Sequence, residues 1–308
     1  MRAQLLPLVL GFVVGCGGSS DPGTNNANDS QDEGGGGGGD EPGDGNTCEY
    51  VDILFVIDNS PSMGPYQEAL AKQFPAFVDA IYDSLPTDVD LHVGITTTSF
   101  FSGSCSESTN NCASAQTPME INAHYVKPTE GTTGVNGEQG RLYEYDGKSY
   151  FATNTSDPDR APLKQWFSAA AVEAGESGCS YEMASAAAGY AVHPSNAATN
   201  AGFIRDINGV LVVIFLSDEP DKSPEGVSAY HDMLVAAKQQ CGGDACILAA
   251  GIINPCTMDN NDTIWQTLNA FGEAPIWGDI DDTTSYDTVV GDALAQVVNQ
   301  TCESIVIL

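Results

Sequence analysis

Val51-Asp52-Ile53-Leu54-Phe55-Val56-Ile57, followed at once by Asp58-Asn59-Ser60-Pro61-Ser62-Met63, is the stretch on which the reading of this 308-residue chain turns. An apolar run broken only by Asp52 reads as a strand buried on both faces, and Asp-Asn-Ser-Pro stops it. Gln67 to Tyr82 then carries Leu70, Phe74, Phe77, Val78 and Ile81, the three- and four-residue spacing of one helix face. Working outward, Leu91–Thr97, Val210–Leu216 and Ile247–Ile253 read as further strands. Val210–Leu216 is the strongest, apolar at every position. Helical patterns fall at about 162–174, 181–192, 225–240, 261–271 and 286–301. Strands alternating with helices imply a single doubly wound α/β domain, its mainly parallel sheet flanked by helices on both faces.

An irregular stretch at about 99–160, rich in Ser, Thr, Asn and Gly, interrupts this alternation. A loop of that length inside a compact domain is commonly functional. Within it, Leu142-Tyr143-Glu144-Tyr145 and Lys148-Ser149-Tyr150-Phe151 flank Asp146-Gly147, which predicts a two-residue hairpin.

The N-terminus reads as a targeting segment. Met1-Arg2 is positive, and Leu5 to Val14 is apolar over about ten residues, well short of the roughly 20 that span a bilayer. The run ends in Val13-Val14-Gly15-Cys16, which resembles a bacterial lipobox. The resemblance implies a signal peptide over 1–15, acylation of Cys16, and membrane attachment through the lipid alone. Residues 17–47 hold the run Gly34 to Gly39 and seven acidic residues, with no Lys, Arg or aromatic. Such a segment has nothing to bury against its ordering entropy, so 16–47 reads as a disordered tether ahead of a domain at 48–308.

The chain carries a formal net charge of −32, and 35 acidic residues against nine basic ones fall at 48 or beyond. A field of that sign repels nucleic acid and anionic lipid surfaces and attracts cations. With Cys16 set aside, eight cysteines remain, an even number that points to disulfides in an exported chain. Cys48 and Cys302 bracket the domain and are expected to pair, since domain ends tend to lie close together. Cys105–Cys112 and Cys241–Cys246 are short local loops, which leaves Cys179–Cys256. There is no CxxC and no HExxH, so the residues do not suggest zinc.

The chemistry lies just after the strands. Asp58, Ser60 and Ser62 form D-x-S-x-S behind the first strand, where ligands bind in open α/β sheets. One carboxylate and two hydroxyls suit a small hard cation that keeps positions open, as magnesium does. Leu216-Ser217-Asp218-Glu219-Pro220-Asp221 brings a second carboxylate to the same edge, and Gly178-Cys179-Ser180-Tyr181-Glu182 supplies a third polar loop. Together these resemble the metal-ion-dependent adhesion site of von Willebrand factor type A domains, and more closely exported bacterial members with a Ser-Asp-Glu turn after the central strand. The resemblance covers about 50–305. It implies Asp58, Ser60, Ser62 and Asp218 as ligands of one divalent cation, Mg2+ first, with Ca2+ or Mn2+ as alternatives. The family offers a threonine in the second loop where this chain has Ser180, so Ser180 is assigned there, with Glu182 and Glu219 as further candidates. The site is expected on the rim, outside the apolar core, where loss of Asp58 costs little stability. Acidic clusters at Asp259 to Asp262 and Asp279 to Asp282 read as solvated loops.

These residues point to a binding module, whose open cation accepts a carboxylate from a protein partner, in the bacterial cell envelope as an outer-membrane lipoprotein facing the periplasm or the exterior. A metal-dependent hydrolase is the first alternative, but it needs a base or nucleophile beside the ion. No His lies in the three loops and there is no G-x-S-x-G, so no enzyme is expected. A structural envelope protein with an unused site is the second.

Overall fold

A computed structural model describes residues 48–100, 117–129, 135–259, 261–272 and 274–296. The targeting segment, Cys16, the tether, Cys105, Cys112 and Cys302 lie outside them. The deciding stretch forms the strand β1 (Tyr50–Ile57), followed by the helix α1 (Gly64–Ser84) and then β2 (Asp90–Thr97). Next come α2 (Pro118–His124), β3 (Tyr150–Asn154), α3 (Ala161–Glu173) and α4 (Ala184–Val192). The second half runs β4 (Gly209–Ser217), α5 (Val227–Ala237), β5 (Ile247–Ile253), α6 (Pro255–Asp259), α7 (Thr263–Ala270), β6 (Ile276–Asp279) and α8 (Tyr286–Gln296). The described strands make one six-stranded sheet, ordered β3-β2-β1-β4-β5-β6. All neighbours are parallel except β2 and β3, so the expected α/β architecture with a mainly parallel sheet is what the chain adopts.

The alternation of β1 and β4 explains why both read as unbroken apolar runs. Ile53, Phe55 and Ile57 with Val210, Val212, Ile214 and Leu216 face one layer, which α1, α3 and α8 cover. Leu54 and Val56 with Leu211, Val213 and Phe215 face the other, covered by α4, α5 and α7. A strand between two helix layers has no face left for polar residues. The helix α4 is nearly all Ala, Ser and Gly and is buried along Ala184–Ala191. Its small side chains admit α5: a Cβ on Gly189 would lie 3.1 Å from Met233 Sδ and from Tyr230 Cδ1.

Two details differ from the sequence reading. The Asp146-Gly147 turn is present, with φ of 51° and 71° and a Tyr145–Lys148 bridge closed by hydrogen bonds of 3.0 Å in each direction. The strand that leaves it is Tyr150–Asn154, however, and it pairs with β2 instead of folding back on Leu142–Tyr145. Pairing there covers the open edge of β2, which a two-residue hairpin arm would leave exposed. The short, half-buried β6 is not among the strands read from the sequence, because four residues carry too little pattern. Among the described residues, no helix is long and apolar enough to cross a membrane.

Candidate functional site

The sheet order places its switch between β1 and β4, and both strands end in the polar turns singled out above. Their register pairs Ile57 with Leu216, and Asp58 N donates to Leu216 O at 2.9 Å. Asp58 and Ser217 therefore emerge side by side. Ser217 Oγ donates to Asp58 Oδ2 at 2.8 Å, while Asp58 Oδ1 accepts from Ser60 N at 2.8 Å. Ser60 Oγ and Ser62 Oγ lie 2.8 Å apart, and Ser62 Oγ donates to Asp218 Oδ1 at 3.2 Å. Asp58, Ser60, Ser62 and Asp218 thus form one continuous hydrogen-bonded chain. Asp58 and Ser60 make its buried floor, at 0% and 1% exposure, and Ser62 and Asp218 lie toward solvent.

This corrects the expectation that Asp58 sits on the rim at little cost. It is wholly buried and two donors depend on it. Burial pushes its carboxyl above the usual range, with the Ser60 and Ser217 hydrogen bonds pulling the other way. Asp218 is pushed up to about 7 by burial, then by the charges of Asp58 and Glu219. Two carboxylates held together against their own repulsion are a site in want of a positive charge.

The second loop is tied to the first. Gly178 N donates to Asn59 O at 2.7 Å, and Ser99 Oγ bridges the two loops, donating to Asn59 Oδ1 at 2.9 Å and accepting from Cys179 N at 3.2 Å. Glycine at 178 is required by this approach, because a Cβ would stand 2.2 Å from Asn59 Oδ1. Ser180 enters through its backbone: its carbonyl accepts from Lys222 Nζ at 2.9 Å. Glu182 and Glu219 are both claimed by the same lysine. Lys222 Nζ pairs with Glu182 Oε2 and, at 3.0 Å, with Glu219 Oε2. Lys222, which the sequence reading passed over, is 4% exposed. Its signal was there, as the one basic residue in an acidic turn.

The acid clusters divide. Asp262 caps α7, accepting from Ile264 N at 3.0 Å, and its second oxygen accepts from Asp221 N at 3.0 Å. It is a half-buried structural residue, not a solvated one. Asp281 is exposed and accepts from Tyr66 Oη at 2.6 Å, which brings that loop against the start of α1.

Among the described residues no group of three or more His, Cys, Asp or Glu side chains is arranged to hold a metal ion. An ion here would take hydroxyl oxygens beside its carboxylates, the donor set of a hard cation. The four converging side chains fit that requirement, and Glu182 Oε1 adds a buried oxygen with no hydrogen-bond partner. Of the expected disulfides, Cys241–Cys246 is formed, with Cα atoms 6.0 Å apart. Cys48, Cys179 and Cys256 are also disulfide-bonded. A Cys179–Cys256 bond, expected because both residues were placed at the carboxyl edge of the sheet, is not found among the described residues. Cys105–Cys112 and Cys48–Cys302 involve residues outside those described.

No protein-family model matches the chain, and no curated protein matches it. Among solved structures it is similar to von Willebrand factor type A from Catenulispora acidiphila, at 14% identity and a TM-score of 0.40, over 81% of this chain and 43% of that one. It is similar also to proximal thread matrix protein 1 from the mussel byssus with a zinc-occupied MIDAS motif, at 14% identity and a TM-score of 0.41, over 82% and 47%. A third is the pilus adhesin SpaC from Lactobacillus rhamnosus GG, at 13% identity and a TM-score of 0.42, over 82% and 30%. The chain spans less than half the length of each of these structures.

Proposed function

We propose that this protein is a cation-dependent binding module of the von Willebrand factor type A kind. Asp58, Ser60, Ser62 and Asp218 hold one divalent cation, with Ser180 beside them, and a carboxylate from a protein partner completes its coordination. The observation that carries this is the unbroken run of hydrogen bonds from Ser217 through Asp58, Ser60 and Ser62 to Asp218. Mg2+ suits two carboxylates and neutral hydroxyls with positions left open, and Ca2+ or Mn2+ are the alternatives. The ion, when bound, supplies a positive centre for the incoming carboxylate. The protein's own part is to fix the oxygens on two strand ends and to leave Ser62 and Asp218 facing outward.

A binding role is favoured over hydrolysis because Glu182 and Glu219, the carboxylates that could act as a base there, are both paired with Lys222. Cys16 is proposed as the lipid attachment point, which places the domain in the bacterial cell envelope. Calorimetry with Mg2+, Mn2+ and Ca2+ tests the site. Affinity capture from native envelopes in magnesium, eluted with chelator, tests the partner. Absence of binding by all three cations overturns the reading.

A further inference from the structure

Lys222 stands out as a cation built into an acidic site. Its ammonium has three protons to donate, and three acceptors take them: Ser180 O at 2.9 Å, Glu219 Oε2 at 3.0 Å and Glu182 Oε2. Its backbone N–H donates to Glu182 O at 2.7 Å, so its main chain and side chain both grip the second loop. Glu182 is fully buried and Glu219 nearly so. A buried carboxylate without a partner is costly, and removing one member of a buried pair is strongly destabilising.

The arrangement is unequal at its two ends. Burial works against the Lys222 ammonium, but Glu182 and Glu219 outweigh it and hold its pKa above the usual value. The Glu182 carboxyl is also pushed well up, by burial and then by the charge of Asp58. Glu182 shares the second loop with Ser180, Glu219 directly follows Asp218, and Glu182 Oε1 is buried with no hydrogen-bond partner. Freed from the lysine, this carboxylate would be an anionic oxygen donor beside the cation.

We infer that Lys222 is an internal counter-ion that withholds Glu182 and Glu219 from the bound cation, and that this sets the site's preference for magnesium over calcium. The inference rests on the cation-site reading above. Calcium takes more oxygens, carboxylates above all, and tolerates irregular geometry, whereas magnesium demands a small octahedral set and keeps its waters. A site with two of its four acids engaged by one lysine offers the second kind. Lys222 acts through the two glutamates and, by its bond to the Ser180 carbonyl, through the loop that carries Glu182, so it is a positioning residue.

The test is calorimetric titration of the full chain with Mg2+ and with Ca2+, alongside thermal melts in chelator, for the parent, Lys222→Met and Lys222→Met/Glu182→Gln. The expected result is a rise in calcium affinity relative to magnesium of about tenfold or more in Lys222→Met, the scale on which groups behind the ligands act on a metal. The double variant lacks the freed charge, so its ratio should return toward the parent's. If Lys222→Met alone does not fold in chelator, recovery of its melting transition by calcium in preference to magnesium supports the inference. Failure to recover with either ion overturns it. A calcium-to-magnesium ratio unchanged in Lys222→Met also overturns it, with the cation site left standing. A parent that binds neither ion overturns both.

Discussion

Asp58 separates the two roles that the site imposes on a single side chain, and Asp58→Ala and Asp58→Asn separate them experimentally. The alanine removes the acceptor of Ser60 N, a donor in a residue only 1% exposed. A buried donor left unpaired costs about 1–3 kcal/mol. Ser217 Oγ is not orphaned, because Glu219 O at 3.0 Å can take its proton. Relief of a buried carboxylate whose pKa is raised by desolvation offsets part of the loss. For a domain of this size each kcal/mol moves the melting temperature by about 2–4 °C, so Asp58→Ala should melt roughly 2–12 °C below the parent in chelator. Asparagine keeps an oxygen for Ser60 N, and Ser217 Oγ can turn to accept from its amide. Asp58→Asn should therefore melt within about 3 °C of the parent. Calorimetry should show both variants losing more than about 100-fold in magnesium affinity, beyond what changes behind the ligands produce. An Asp58→Asn protein that binds magnesium like the parent would refute the site. One that melts as low as Asp58→Ala would refute the reasoning about its buried charge.

Three further outcomes are expected. Burial, then the charge of Asp221, pushes Asp262 up to about 7 from an ordinary 3.8, so its contribution to stability is full below about pH 4 and is lost as pH rises through about 7. Melting temperatures in chelator should show that fall, and Asp262→Asn should make it shallower; an equal slope in the variant would contradict the assignment. Gly178→Ala forces Asn59 and the second loop apart and should cost about 1–3 kcal/mol, with weaker magnesium binding by calorimetry; a neutral result would mean that the loops are not fixed by that contact. Cys16→Ala should move the protein from the membrane fraction to the soluble one, and unchanged partitioning would count against acylation there.

β1, β2, β4 and β5 and most helices were legible because burial on both faces leaves an unmistakable mark on composition, as Val210–Leu216 does. Asp58, Ser60, Ser62 and Asp218 were legible because their loops directly follow two such strands, and parallel pairing brings their ends together. What the sequence could not carry was long-range pairing of charge. Glu182, Glu219 and Lys222 look like independent members of acidic turns until the fold buries them side by side. The same limit applies to Cys179 and Cys256, where spacing supplied no geometry. Asp58 itself was found and its depth misjudged, because a loop position in sequence says nothing about how far neighbouring loops close over it.

The path of β1 through the molecule has a mechanical consequence. Its first residue, Tyr50, lies at the end where the chain arrives from the N-terminus, and its last, Ile57, delivers Asp58 to the proposed cation site at the opposite end. A pull exerted between an N-terminal attachment and a partner held at Asp58 would run lengthwise down this one strand. On either side, β2 and β4 pair with it over its whole length, from Tyr50 to Ile57. Such a load stays on the covalent backbone of β1, and the ladders on either side keep the strand in place without having to give way. In that direction the path from attachment to partner crosses no hydrogen bond that must break.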